Sequence, residues 1–239
     1  MTDNNYTQAG ESQKEMGALE KIMNVFFAPR KTFESVDRKP DWLIPMVIVV
    51  IVSLVFTIIA MPIIMPEQMA KQREKMEEKG MTNEQIEKAQ EMGAKVGKFV
   101  GPISSIVVVV VVLLVISGIY LFAGNIVLGG KTIFKKVLAV VCYSSLIGSL
   151  GQLILLPLVM TKKTMSVSFS LASFMSPDAS ETALYHILKH IDLFAFWQII
   201  VAGIGIAVIY KFTTKKSIIM VASLYVIYIL ISLGVKSIF

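Results

Sequence analysis

The hydropathy of the chain divides it into five long apolar stretches separated by shorter polar segments. The stretches run from Leu43 to Met65, Ile103 to Leu128, Val137 to Met160, Leu193 to Tyr210 and Ser217 to Val235. A helix of about 20 apolar residues crosses a bilayer core of about 30 Å, so each stretch is long enough, the fourth only just. Lipid cannot pair with free backbone groups, and the stretches lack the alternation of barrel strands. We therefore predict five transmembrane helices.

Acidic residues avoid these stretches. No Asp or Glu occurs between Glu91 and Asp178, and none follows Asp192. The 239 residues are 55% hydrophobic and only 17% charged, below the roughly 25% usual in soluble domains, and the mean hydropathy is +0.70. The predicted fold class is an all-α polytopic membrane protein in which each apolar stretch meets lipid.

Basic residues cluster at particular ends of the apolar stretches and predict an orientation. The connections 129–136 and 211–216 hold three lysines each, and the segment 30–39 brings four basic residues to the same side. Short cytoplasmic connections carry such an excess of Lys and Arg. We expect the N-terminus in the cytoplasm and the C-terminus outside, in a cell membrane. The net charge of +6 therefore indicates lipid headgroups rather than nucleic acid.

The polar segment from Glu67 to Lys98 carries charges of both signs at helical spacing. Gly80 interrupts this pattern, and Thr82 followed by Gln85 matches a capping box that begins a second helix. The segment predicts a helical hairpin outside the membrane, on the extracytoplasmic side.

The N-terminal region predicts a polar, disordered tail over residues 1–18 and a membrane domain over residues 19–239. Before Pro29, apolar side chains recur on one side of a short helix, at Leu19, Ile22, Met23, Phe26 and Phe27. Lys21, Arg30 and Lys31 lie close by in the sequence. This composition is typical of a helix that lies in the membrane interface with its basic residues at the headgroups.

Prolines and aromatic residues punctuate the segment that leads into the first span. The motif consists of Phe26, Pro29, Phe33, Val36, Pro40, Trp42 and Pro45. Together with the five-span pattern over residues 19–239, it resembles the bacterial branch of the Yip domain family, which is named after Ypt/Rab-interacting membrane proteins. The resemblance implies five transmembrane helices, a cytoplasmic N-terminus and a short C-terminus outside. Rab binding is not implied, because the Asp-Leu-Tyr-Gly-Pro motif of eukaryotic members does not occur here.

The motif has two readings in physical terms. The prolines break the chain into short rigid pieces at the membrane entry, and Trp42 suits the aromatic belt of the interface. These residues either anchor and position the segment or form a surface that binds a partner.

The five spans hold no Asp, Glu, Lys, Arg or His away from their ends, which argues against proton-coupled transport and voltage sensing. The milder polar groups inside them are Asn125, Tyr143, Gln152 and Gln198. Such groups either hydrogen-bond between helices or line a pore at the midplane. Gly203 and Ala207, four residues apart, permit a close approach of two helices.

His186 and His190 share a helix face, a geometry that can bind zinc. Apolar neighbours surround them, however, no glutamate lies between them as in a zinc protease, and Asp192 suits the N-cap of the fourth span. Cys142 is the single cysteine, which excludes an intramolecular disulfide and a cysteine metal cluster. We expect no catalytic residues, no metal and no cofactor.

These observations favour a non-enzymatic membrane protein that acts as a scaffold and organises partners or lipid. Its expected contacts are the bilayer and a membrane-protein partner or a second copy, with no nucleic acid and no assignable small-molecule substrate. The alternative is a transporter or channel for a small neutral solute, which would pass the polar residues near Gln152.

Overall fold

A computed structural model describes residues 16–164, 167–176, 179 and 182–238, and most of these residues are helical. Its α-helices are α1 (Ala18–Phe27), α2 (Pro29–Arg38), α3 (Leu43–Glu78), α4 (Asn83–Phe122), α5 (Phe134–Lys162), α6 (Ala183–Lys189), α7 (Leu193–Tyr210) and α8 (Thr214–Ile238). A π-helical turn at Ala123–Val127 extends α4, and a 3-10 turn occupies Leu171–Phe174. The tail predicted over residues 1–18 lies outside the described residues as far as residue 15. The helix α1 begins at residue 18, the last residue of the predicted tail.

Five of these helices are long and apolar enough to cross a membrane, which confirms the predicted polytopic fold. They are α3, α4 with its π turn, α5, α7 and α8. The shortest, as expected, is α7, with 18 residues. Its N-cap is Asp192, whose Oδ1 accepts hydrogen bonds from the backbone N–H groups of Phe194 (2.8 Å) and Ala195 (3.2 Å).

The predicted hairpin between the first two spans is present, but its helices are continuous with the spans. Gly80 turns the chain with φ +75°, and Thr82 and Gln85 form the reciprocal capping box that begins α4. The helix α3 runs on through Pro62 and Pro66, and α4 contains Pro102. Each proline removes one backbone hydrogen bond without ending the helix, as is common in membrane spans. The hairpin is thus a direct extension of α3 and α4 beyond the bundle.

The centre of the bundle is α5, which packs against α1, α2, α3, α4 and α7. In the most apolar part of α5, 72% of the residues are buried, whereas the corresponding share is at most 22% in α3, α4 and α8. Those three helices therefore expose apolar side chains around the bundle, where a bilayer covers them.

The last two helices approach very closely through a glycine. A Cβ added at Gly203 of α7 would lie 2.8 Å from the Cα of Ile218 in α8, too near for any side chain. Lys211 ends α7 in the left-handed region, with φ +58°, and the short turn leads directly into α8. The small residue predicted to permit helix approach lies at this contact.

Candidate functional site

The helices α1 and α2 form a bent unit that packs along α7, which we call the N-terminal elbow (Ala18–Arg38). Its contacts extend from Lys211, directly after α7, to Trp197 near the beginning of that helix. The bend lies at Ala28, which has non-helical angles of φ −139° and ψ 58°. Pro29 then occupies the first position of α2, where a proline sacrifices no intrahelical hydrogen bond and supplies a helical φ. Its ring also disfavours helical angles at the preceding residue, so the sequence itself produces the bend.

The inner face of the elbow is part of the protein core. Val25, Phe33 and Val36 are fully buried, and α2 packs on α7 and α5. The ring of Phe33 rests against Gly205 of α7, where an added Cβ would lie 3.0 Å from Phe33 Cε2 and 2.6 Å from Val140 Cγ1. Phe33 therefore fills a notch that exists because residue 205 has no side chain.

Aromatic contacts join the bend to the bundle. The rings of Phe26 and Trp197 meet edge to face, with centroids 5.9 Å apart, and Trp197 also stacks on Phe194 at 6.5 Å. The chain has only one other tryptophan, Trp42, which caps α3 and packs partly buried against the core. Both tryptophans therefore report on the region of the elbow.

The structure places all seven motif residues along this elbow and its exit. On the elbow, Phe26 contacts Trp197, Pro29 begins α2, and Phe33 and Val36 are buried. In the exit, Pro40 lies partly buried in the link to α3, Trp42 occupies the N-cap position of α3, and Pro45 is buried in the first turn of that helix. Several of these side chains thus touch the chain's own helices. The exposed faces of the elbow carry residues outside the motif, such as Leu19, Met23 and Phe27.

Asp37 forms two ion pairs that join three segments distant in sequence, an arrangement that we call the clamp. Its Oδ1 accepts a hydrogen bond from Lys136 Nζ at 2.6 Å, and its Oδ2 accepts one from Lys211 Nζ at 2.7 Å. Burial alone raises the pKa of Asp37, but the hydrogen bonds and charges of the two lysines outweigh burial and lower the pKa below its ordinary value. The clamp places the C-terminal end of α2 and both basic connections at the same end of the bundle.

A second ion pair lies deeper. Lys21 Nζ donates to Asp41 Oδ2 at 2.9 Å, and only 3% of the Lys21 side chain is exposed. Thr32 Oγ1 also donates to the Lys21 carbonyl at 3.2 Å, which ties α1 to α2. The other carboxylate oxygen, Asp41 Oδ1, and the hydroxyl of Tyr143 are also buried, and Tyr143 lies beside Asp41. Lys21 was expected at the headgroups and instead points into the protein.

The four polar residues predicted inside the spans do not meet in one cluster. Ser53 Oγ donates to Gln152 Oε1 at 3.4 Å, between α3 and α5, whereas Gln198 Nε2 of α7 donates to Ser145 Oγ at 3.5 Å. Asn125 pairs locally with the backbone of Thr132, at 3.2 and 3.3 Å. The two glutamines thus pair with different helices, and Tyr143 lies beside the Lys21–Asp41 pair.

His190 is held by aromatic residues of α8. Its carbonyl accepts a hydrogen bond from Tyr225 OH at 2.8 Å, and its ring meets that of Tyr228 at 5.6 Å. His186 lies in the last turn of the short helix α6. Across the described part of the chain, no group of three or more His, Cys, Asp or Glu side chains is arranged to hold a metal ion.

Comparison with known proteins supports the architecture. The sequence model of the Yip1 domain matches residues 23–235, which includes the elbow from Met23 onward and all five spanning helices. No curated protein and no solved structure matches the chain. Since the matched region covers most of the chain, this multi-pass membrane protein belongs to the Yip1 domain family.

Proposed function

We propose that this protein is a non-enzymatic membrane scaffold that uses the N-terminal elbow as a fixed surface for a membrane-protein partner or a second copy of the chain. The observation that carries the proposal is the anchoring of the elbow. Phe33 and Val36 are fully buried, and the ion pairs of Lys21 and Asp37 join the elbow to the link before α3, to α5 and to the residue that follows α7. A surface held in this way is pre-organised, so a partner need not pay its ordering entropy.

The outer surface of the elbow has two parts. Leu19, Met23 and Phe27 form an apolar stripe on α1, and they are 80%, 60% and 81% exposed. On α2, Arg30 and Glu34 form an exposed ion pair at 3.4 Å. An exposed apolar stripe beside a charged face suits the membrane interface, with the stripe in the acyl region and the charges in water.

The orientation in the proposal follows from charge. Because Asp37 brings Lys136 and Lys211 to the elbow, the basic connections and the N-terminal segment share one end of the bundle. The excess of basic residues in short connections supports a cytoplasmic location for this end, as in a bacterial cytoplasmic membrane. Five spans then carry the C-terminus to the opposite side.

The alternative function, transport of a small neutral solute, needs a continuous polar path. The pairs Ser53–Gln152 and Gln198–Ser145 are hydrogen bonds between neighbouring helices, an arrangement that supports a role in helix packing.

Solute flux in proteoliposomes separates the two functions. We expect vesicles that contain the protein to be as tight to radiolabelled glycerol and urea as protein-free vesicles, because its polar side chains are paired between helices. The matched control for Gln152→Leu is Gln72→Leu on the hairpin. Flux above the protein-free level that disappears in Gln152→Leu but persists in Gln72→Leu would support transport and contradict the scaffold.

A further inference from the structure

A groove of about 680 Å³ opens between the end of α4 and the beginning of α8, close to the basic connections. Its walls are apolar and come from both sides: Ile119, Phe122 and Val127 on one, Ile219, Leu224 and Ile227 on the other. At its mouth lie Thr213, Lys215 and Lys216. The volume falls within the roughly 300–1,000 Å³ of typical ligand sites.

The packing of the helices explains why this space remains open. The helix α4 packs on α3 and α5, whereas α8 packs on α7. The π turn at Ala123–Val127 extends α4, and its residues Ala123 and Val127 line the groove. The two helices therefore border the groove without closing it.

Among the residues that the structure describes, no carboxylate forms an ion pair with Lys215 or Lys216 at the mouth. Asp37 is already engaged by Lys136 and Lys211, and no Asp or Glu occurs in the sequence between Glu91 and Asp178 or after Asp192. Lys216 is held in place instead, with its Nζ 4.1 Å from the centroid of the Phe212 ring and 3.5 Å from the Leu128 carbonyl. A phosphate group is the natural counter-charge for such a mouth.

We infer that the groove is a binding site for one anionic glycerophospholipid. The phosphate lies against Lys215, Lys216 and Thr213, and an acyl chain follows α8 from Ile219 to Ile227. Lys216 and Ile227 are eleven residues apart, or about 16 Å along a helix. That length is about half of a 30 Å bilayer core, so the apolar wall matches a chain from one leaflet. The apolar wall and the cationic mouth together select a lipid over a free phosphate ion.

Native mass spectrometry of the detergent-solubilised full chain tests the site with phosphatidylglycerol and phosphatidylcholine of identical acyl chains. We expect one phosphatidylglycerol to bind, at least about tenfold more tightly than phosphatidylcholine. The double variant Lys215→Gln/Lys216→Gln should lose this preference, since each basic residue near a membrane surface contributes about fivefold in affinity. The matched control is Lys131→Gln/Lys135→Gln, which removes two lysines near the same end outside the groove and should keep the preference.

A second pair of variants tests the apolar wall without changing charge. Ser223→Phe fills the groove and should abolish the bound lipid, whereas Val226→Phe, on α8 but outside the lining, should keep it. Equal binding of both lipids to the wild type would overturn the proposal. An equal loss of the phosphatidylglycerol preference in both double lysine variants would overturn it too. Undiminished lipid binding in Ser223→Phe, or binding of glycerol 1-phosphate as tight as that of the lipid, would do the same.

Discussion

Replacing Phe33 by alanine should release the N-terminal elbow from the bundle and lower the free energy of unfolding by about 3–5 kcal/mol. The ring is fully buried against the notch at Gly205. Alanine would leave a cavity that α7 cannot fill, because a glycine offers no side chain to move into it. Phe33 is also the largest fully buried side chain of the elbow, so few other apolar contacts compensate for its loss.

The two natural reporters of the chain make this effect measurable. Cys142 is the single cysteine and is fully buried, so its reaction with a fluorogenic maleimide during heating gives the unfolding temperature. In a Trp42→Phe background, acrylamide quenching of Trp197 reports the loss of its contact with Phe26.

The matched control for Phe33→Ala is Phe27→Ala, which removes the same ring from a position that is 81% exposed. In detergent, Phe27→Ala should change the unfolding temperature and Trp197 quenching little. Equal behaviour of the two variants would show that the elbow is not held by Phe33.

Replacing Lys21 by methionine should destabilise the protein by about 2–3 kcal/mol, because the Asp41 carboxylate would lose its counter-ion in a largely buried site. The figure lies below the cost for a completely buried pair, since 27% of the Asp41 side chain is exposed. Methionine and lysine have similar helix propensities, so α1 itself should be unaffected. In the double variant Lys21→Met/Asp41→Asn, most of the stability should return, because no unpaired charge remains.

Labelling of Cys142 during heating measures this cycle as well. The control is Lys95→Met, which breaks the exposed pair Lys95–Glu91 (2.7 Å) and should cost less than about 0.5 kcal/mol. A double variant as unstable as the sum of the two single variants would mean that Lys21 and Asp41 do not stabilise each other.

The five spanning helices could be predicted from the sequence because lipid imposes strict rules on the backbone. Long apolar stretches must be helical there, and the capping box at Thr82 and the N-cap at Asp192 are local signals that need no tertiary knowledge. The continuity of α3 through Pro62 and Pro66 was harder to foresee. Proline usually ends a helix in water, and whether it does so at a membrane boundary depends on the neighbouring helices.

The elbow shows where sequence reasoning was incomplete. The motif identified Phe33, but the burial of its ring depends on a notch in α7 that is about 170 residues away in the sequence. A lysine beside apolar residues usually reaches for headgroups, so nothing local distinguished Lys21 from Arg30. The sequence held only a weak signal for the ion pairs of Asp37. This signal is an acidic residue directly after the buried Val36, in a protein whose basic connections lie at the same end.

The most direct test of the scaffold is photo-crosslinking in native membranes from a photoreactive residue placed at Glu34, on the open face of α2. Glu84, an exposed residue at the tip of the hairpin, is the matched control position. We expect a reproducible protein adduct, either another membrane protein or a second copy of the chain, at Glu34 and not at Glu84. No protein adduct at Glu34 above the level found at Glu84 would contradict a partner-binding role for the elbow.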